Sequence, residues 1–204
     1  MDVDALVEEL RRMHCAHTII LYGSRARGDA TAESDIDVAA FADVPETTRD
    51  ARLWDSMYLD GFVYPTAIAS APVDVDLLKL CGGRALLDER GLAGPLFERL
   101  SALEHAGPGV LSDPEQRMRC VWARKMQARI RRGDVEAHYR YHWLLFQLLE
   151  DHFAMRGAWY RGPKRALAHL HECEPAVYAA FAAALAPGSS LAALDELVEL
   201  VVGP

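Results

Sequence analysis

The chain has 204 residues, of which 51% are hydrophobic and 25% are charged, so it can bury a core and is not a disordered chain. Its formal net charge of −8 argues against a protein whose task is to grip long nucleic acid, since such proteins usually carry a basic face. The four separated cysteines do not suit a secreted disulfide scaffold, and no apolar run approaches the roughly 20 residues of a membrane span. These properties predict a cytoplasmic protein with one large domain or two small ones.

The first half of the chain mixes helix and strand patterns. In chain order, the patterns predict a helix over residues 2–14, strands over 17–22 and 35–41, a short helix over 46–56, a strand over 57–64 and a short edge strand over 84–88. Residues 72–80 alternate like a strand, but the Gly82-Gly83 pair behind them equally suits the end of a helix. This half therefore predicts a small mixed β-sheet flanked by helices.

The second half has an almost purely helical pattern. Gly107-Pro108-Gly109 and the helix-starting pair Asp113-Pro114 mark the change, so we predict one domain over residues 1–110 and a helical bundle over 111–204. The predicted helices cover residues 114–131, 134–155, 163–171, 175–185 and 190–202. The predicted fold class is α+β, with a small mixed sheet followed by an all-α bundle.

The residues from Gly23 to Asp37 combine an anion-binding turn with a pair of carboxylates. Gly23 lets the backbone approach an anion, while the hydroxyl of Ser24 and the amides of the following helix start can hold phosphate oxygens. Asp35 and Asp37 point to the same face of a strand because side chains alternate along it. Paired carboxylates are ligands that Mg²⁺ prefers, together with substrate phosphates. The pattern therefore predicts a magnesium and nucleotide site.

The spacing Gly-Ser-x10-Asp-x-Asp resembles the signature of the DNA polymerase beta-like nucleotidyltransferases, in particular the minimal and antibiotic nucleotidyltransferases. The resemblance is specific over residues 17–41 and looser to about residue 90. It implies that two Mg²⁺ ions are held by Asp35, Asp37 and a third carboxylate on the next sheet strand. Asp60 and Asp76 are both candidates for that third position. Asp60 is favoured because Asp76 lies too close to the 84–88 strand for the helix that the family places between them.

The resemblance also predicts the reaction, which is transfer of AMP from ATP to a hydroxyl of a small molecule. Gly23 and Ser24 would hold the β- and γ-phosphates, with Arg27 and Lys164 as further nucleotide ligands. Glu150 and Asp151 are candidates for a general base from the helical bundle, although an ordinary surface carboxylate is the simpler interpretation of both.

Two other functions stay open at this point. The hydroxyl acceptor could be a protein tyrosine, as in the antitoxins of the minimal nucleotidyltransferases, or the chain could bind nucleotide without turnover. The expected partners are a nucleoside triphosphate and an unidentified acceptor, with neither a membrane nor a nucleic acid. The sequence leaves open the base and the oligomeric state, a homodimer included.

Overall fold

The structure is a computed structural model that describes residues 2–203. The chain forms two compact units, Met1–Ala106 and Gly107–Pro204. The first contains a sheet with helices and the second is entirely helical, so the predicted α+β fold class is confirmed.

The first unit is built on a five-stranded sheet. Its strands are β1 (Thr18–Tyr22), β2 (Ile36–Ala42), β3 (Thr48–Trp54), β4 (Met57–Pro65) and β5 (Arg84–Asp88), in the spatial order β3-β4-β2-β1-β5. Strands β2 and β4 pair in parallel and the other neighbours are antiparallel, so the sheet is mixed, as predicted. The predicted edge strand is β5, which lies at one end of this order.

The predicted short helix over residues 46–56 is wrong. These residues contain β3, which forms an antiparallel hairpin with β4. Asp55 and Ser56 connect the two strands with φ values of 48° and 63°, and a two-residue turn with both φ values positive suits the twist of a hairpin. Pairing with β4 therefore outweighs the weak helical pattern of the segment, and it makes β3 the outer strand.

The two faces of the sheet differ in character. Helix α1 (Val3–His14) covers one face, where its buried Leu6 and Leu10 join a core that includes Leu21, Val38 and Leu59. Because side chains alternate, the neighbours of those strand residues point the other way. That second face, here called the carboxylate face, carries Tyr22, Asp37, Asp60, Phe62 and Tyr64.

The chain returns from β4 to β5 through two 3₁₀ helices, Thr66–Ala69 and Val75–Leu80. The ambiguous segment 72–80 is thus neither a strand nor an α-helix. Helix α3 (Ala93–Ala106) follows β5 and is an addition to the predicted elements. The Asp88 carboxylate begins it by accepting the Leu92 and Ala93 amide protons at 2.9 and 3.0 Å, which satisfies donors at the helix start.

The second unit is a bundle of five helices, close to the predicted ones. They are α4 (Asp113–Ile130), α5 (Val135–Met155), α6 (Pro163–Cys173), α7 (Pro175–Leu185) and α8 (Leu191–Val202). Ser112 and Glu115 form a capping box at the start of α4. The core includes Leu144 and Leu148 of α5 with Leu197 of α8.

Among residues 2–203, every helix is too short or too polar to cross a lipid bilayer.

Candidate active site

Gly23 lies directly against the Asp37 carboxylate. Strand β1 ends at Tyr22, which pairs with Asp37 of β2, and the short helix α2 (Gly23–Arg27) begins at the next residue. Gly23 has a φ of +69°, and a Cβ added to it would lie 2.0 Å from Asp37 Oδ2. Since no side chain can be accommodated there, this glycine lets the turn approach the carboxylate. The sequence predicted a close approach to an anion, and the group found closest is Asp37.

Arg25 holds the loop that leads into β2. Its Nε donates a hydrogen bond to the Asp35 carbonyl oxygen at 3.0 Å, and its Nη2 donates to the Ser34 carbonyl at 2.6 Å. The guanidinium thereby fixes the backbone next to Asp35, whose side chain is exposed one residue before β2 begins. Arg25 therefore positions the backbone that carries this carboxylate.

Asp37 and Asp60 lie side by side on the carboxylate face. They are direct partners in the parallel register of β2 and β4, and neighbouring strands are only about 4.8 Å apart. Burial raises the pKa of Asp37, and the charges of Asp35 and Asp60 raise it further, whereas Arg27 and Lys79 oppose the change. Three carboxylates are therefore close enough to repel one another, with two cationic side chains nearby.

Asp60 has a cationic partner on the neighbouring strand. Arg49 of β3 donates from Nε to Asp60 Oδ1 at 2.9 Å, and the Arg49 side chain is 56% exposed. The hydrogen bond to Asp60 raises the pKa of Arg49. One oxygen of the Asp60 carboxylate is therefore already hydrogen-bonded to Arg49.

Lys79 and three aromatic rings complete the face. The Lys79 ammonium lies 3.4 Å from the ring centroid of Phe62 and within 6 Å of the centroids of Tyr22 and Tyr64. Phe62 and Tyr64 are stacked, with centroids 5.9 Å apart. Burial lowers the pKa of Lys79, and Asp60 is the strongest of the charges that oppose this. Sequence reasoning missed Lys79, because only the 3₁₀ helix over residues 75–80 brings it onto this face.

The remaining predicted residues lie elsewhere. Asp76 is exposed on the 3₁₀ helix that carries Lys79, so it does not occupy a sheet strand beside Asp37. Lys164 is exposed at the second position of α6, in the other unit, and its role stays a prediction. Glu150 is exposed on α5, whereas Asp151 is only 1% exposed and pairs with Arg119. The interpretation of Asp151 as a surface carboxylate is therefore wrong.

The donor set suits a hard divalent cation in its chemistry. The oxygens of Asp35, Asp37 and Asp60 are ligands of the kind that Mg²⁺ takes. Burial and then the charges of Asp35 and Asp60 raise the pKa of Asp37, and a bound cation would offset both effects. Within residues 2–203, however, no three acidic, histidine or cysteine side chains are gathered as a ready metal site. Asp60 would bring to such a site a carboxylate whose Oδ1 already accepts a hydrogen bond from Arg49.

Part of the chain is similar to known nucleotidyltransferases. Residues 3–78 match the family described as the nucleotidyltransferase domain, a span that includes the Gly23–Asp37 turn and Asp60. Among solved structures, the chain is similar to a nucleotidyltransferase-like protein from Exiguobacterium sibiricum 255-15, with 14% identity, a TM-score of 0.44, and coverage of 98% of this chain and 75% of that one. No curated protein matches significantly. Residues 3–78 are thus similar to the nucleotidyltransferase domain, in line with the DNA polymerase beta-like superfamily that the Gly23–Asp37 motif resembles, and the general activity that this similarity supports is nucleotidyl transfer.

Proposed function

We propose that this protein transfers AMP from ATP to a hydroxyl group of a small molecule, using Mg²⁺ held at the carboxylate face. One observation carries the proposal: the Asp37 carboxylate lies against Gly23, in register with Asp60, on the carboxylate face of the sheet. A carboxylate that is partly buried beside two others is costly without a cation, so the arrangement is best explained as a site for one.

The carboxylates and the turn would have separate roles. Asp35, Asp37 and Asp60 would hold two magnesium ions, while Gly23 and Ser24 would hold the β- and γ-phosphates through the turn after β1. Mg²⁺, when bound, would neutralise phosphate charge and lower the pKa of the acceptor hydroxyl. Arg27 and Lys79 add positive charge beside Asp37, which supports binding of a triphosphate to this face.

The reaction would proceed as an in-line displacement. The acceptor oxygen would bond to the α-phosphorus, and the bond from that phosphorus to the oxygen bridging to the β-phosphate would break. Pyrophosphate would leave, and the hydroxyl proton would pass to a carboxylate of the face. The chain contributes chiefly alignment of the two reactants and neutralisation of charge.

A small acceptor is proposed because the net charge of −8 disfavours a long polyanion as substrate. Tyrosine on another protein is the alternative acceptor. Incubation with labelled ATP distinguishes the two, because label in a small product supports the first and label retained on protein supports the second.

Isothermal calorimetry of ATP, GTP, CTP and UTP, with and without Mg²⁺, tests the site directly. Wild-type protein is expected to bind ATP most tightly, and only with Mg²⁺. The matched control is the Asp35→Asn, Asp37→Asn double variant, which keeps the shape of both side chains and is expected to lose metal-dependent binding. Equal binding by the double variant, or no metal dependence in the wild type, would contradict the proposal.

A further inference from the structure

A cavity of about 310 Å³ lies between helices α4 and α5 of the second unit, and none of its lining residues belongs to the carboxylate face. It is lined by Met118, Arg119, Trp122, Trp143, Gln147 and Asp151. Its volume is at the lower end of the range for small-molecule sites, which suits a single ring system. Its lining combines two charged side chains with two indole rings.

The ion pair between Arg119 and Asp151 lines the cavity, and one polar atom of each side chain has no hydrogen-bond partner among the described residues. Asp151 is 1% exposed, and its Oδ1 accepts hydrogen bonds from Arg119 Nη1 and, at 2.9 Å, from Gln147 Nε2. Asp151 Oδ2 and Arg119 Nε are buried and have no hydrogen-bond partner among the described residues. Buried polar groups are nearly always paired, so one free acceptor and one free donor on the same ion pair call for an explanation.

The large apolar side chains that line the cavity favour binding of a flat ring. The indoles of Trp122 and Trp143 meet edge to face with centroids 5.4 Å apart. Met118 and Trp143 are 64% and 46% exposed, so the mouth of the cavity is formed by large apolar side chains in contact with solvent. Both unpaired atoms are closed to solvent in this structure, so a partner reaches them only when the side chains that line the cavity move.

We propose that this cavity binds a planar heteroaromatic ring that carries an exocyclic amine next to a ring nitrogen, as adenine and cytosine do. The amine would donate to Asp151 Oδ2, and the ring nitrogen would accept from Arg119 Nε–H. The indoles would pack against the ring, and stacking of a base on an aromatic side chain contributes substantially to affinity. The ring could belong to the nucleotide or to a separate molecule, and both have the same recognition chemistry.

Calorimetry on the full chain with adenosine, cytidine and inosine tests the cavity without phosphates or metal. Adenosine or cytidine is expected to bind at least about tenfold more tightly than inosine, which places a carbonyl oxygen against the Asp151 carboxylate. Trp143→Leu is expected to weaken that binding about tenfold by removing a stacking surface. Phe146→Leu is the matched control, because Phe146 is a 67% exposed aromatic residue on the same helix that does not line the cavity.

Two further measurements show which molecule supplies the ring and whether binding in the cavity is independent of the carboxylate face. If Trp143→Leu weakens ATP binding by the same factor as adenosine binding, the ring is the nucleotide's base; if ATP binding is unchanged, it belongs to a second molecule. The Asp35→Asn, Asp37→Asn variant is expected to bind adenosine as the wild type does, whether or not transfer activity is found. Absence of binding by both amino-bearing nucleosides, equal affinity for inosine, or unchanged binding by a folded Trp143→Leu protein would overturn the proposal.

Discussion

Asp37 and Asp151 are both carboxylates withdrawn from solvent, but their surroundings differ. Asp151 is almost completely buried and its charge is met by Arg119. Asp37 is less buried, lies beside Asp35 and Asp60, and forms no ion pair with the described residues. A buried charge with a partner is tolerated because the partner offsets its desolvation, whereas a carboxylate without an ion pair, such as Asp37, stays costly until a cation arrives. The difference separates a carboxylate whose charge is offset by a cation of the protein from one whose charge is not.

The largest expected effect concerns activity at Asp37. Asp37→Asn, or Asp35→Asn, is expected to lower the transfer rate by roughly 10³-fold, equivalent to about 4 kcal/mol, because each removes a charged metal ligand. Pyrophosphate release in the presence of a working acceptor measures this. Rates within tenfold of the wild type, in a variant that remains folded, would show that the cluster is not the catalytic centre.

Asp151 is expected to matter most for stability. Asp151→Asn leaves Arg119 without its anionic partner, so the free energy of unfolding should fall by about 3 kcal/mol. Glu199→Gln is the control, because its ion pair with Arg124 is exposed and should contribute less than about 1 kcal/mol. Urea unfolding followed by circular dichroism compares the two. Equal losses would mean that burial does not distinguish these pairs.

Gly23 tests whether the close approach to Asp37 is required. Gly23→Ala is expected to abolish activity, since its methyl group would collide with the Asp37 carboxylate. Gly28→Ala carries a similar backbone strain, with φ of +86°, but has no atom within 4 Å of the added Cβ. Both variants should lose about 1 kcal/mol of stability from that strain, and only the first should lose turnover. Parallel assays of activity and thermal unfolding decide it.

Asp37→Asn should have the opposite effect on stability to Asp151→Asn. The pKa of Asp37 is raised in the folded protein, so its ionised form destabilises the fold above that pKa. Without metal at pH 7, the variant should therefore melt higher, by about 2–4 °C for each kcal/mol of repulsion relieved. The gain should vanish as the pH falls toward 3.8, the ordinary value, where the wild-type carboxyl is protonated too.

Magnesium provides the control for this effect. Added Mg²⁺ should raise the melting temperature of the wild type by binding the folded state, and should leave Asp37→Asn unchanged. A variant that melts lower than the wild type at pH 7 would show that Asp37 has a structural partner.

The smallest expected effect is at Lys79. Lys79→Met is expected to weaken Mg²⁺-dependent ATP binding about tenfold by removing one charge-assisted contact, and Lys79→Arg should recover part of that loss. Calorimetry measures the affinity, and thermal unfolding checks that losing the contact with Phe62 costs at most about 1 kcal/mol. Unchanged affinity in Lys79→Met would show that this ammonium does not contact the nucleotide.

Local sequence patterns were enough to predict the fold class, the two strands and the turn around Gly23 and Asp37, and nearly all helix boundaries of the second unit. These features depend on local rules: side-chain periodicity, proline and glycine at helix ends, and a motif whose spacing is short. The family match over residues 3–78 includes that motif.

Other features of the fold and the site depend on contacts between segments that are distant in the sequence. Residues 48–54 became a strand because β4 offers a partner, and Asp60 came into register with Asp37 through the parallel pairing of β2 and β4. Lys79 reached the carboxylate face, and Asp151 met Arg119, through contacts between residues 17 or more positions apart. Such contacts depend on how elements pack, and a single sequence records no pattern for them, because alternation and capping extend only a few residues along the chain.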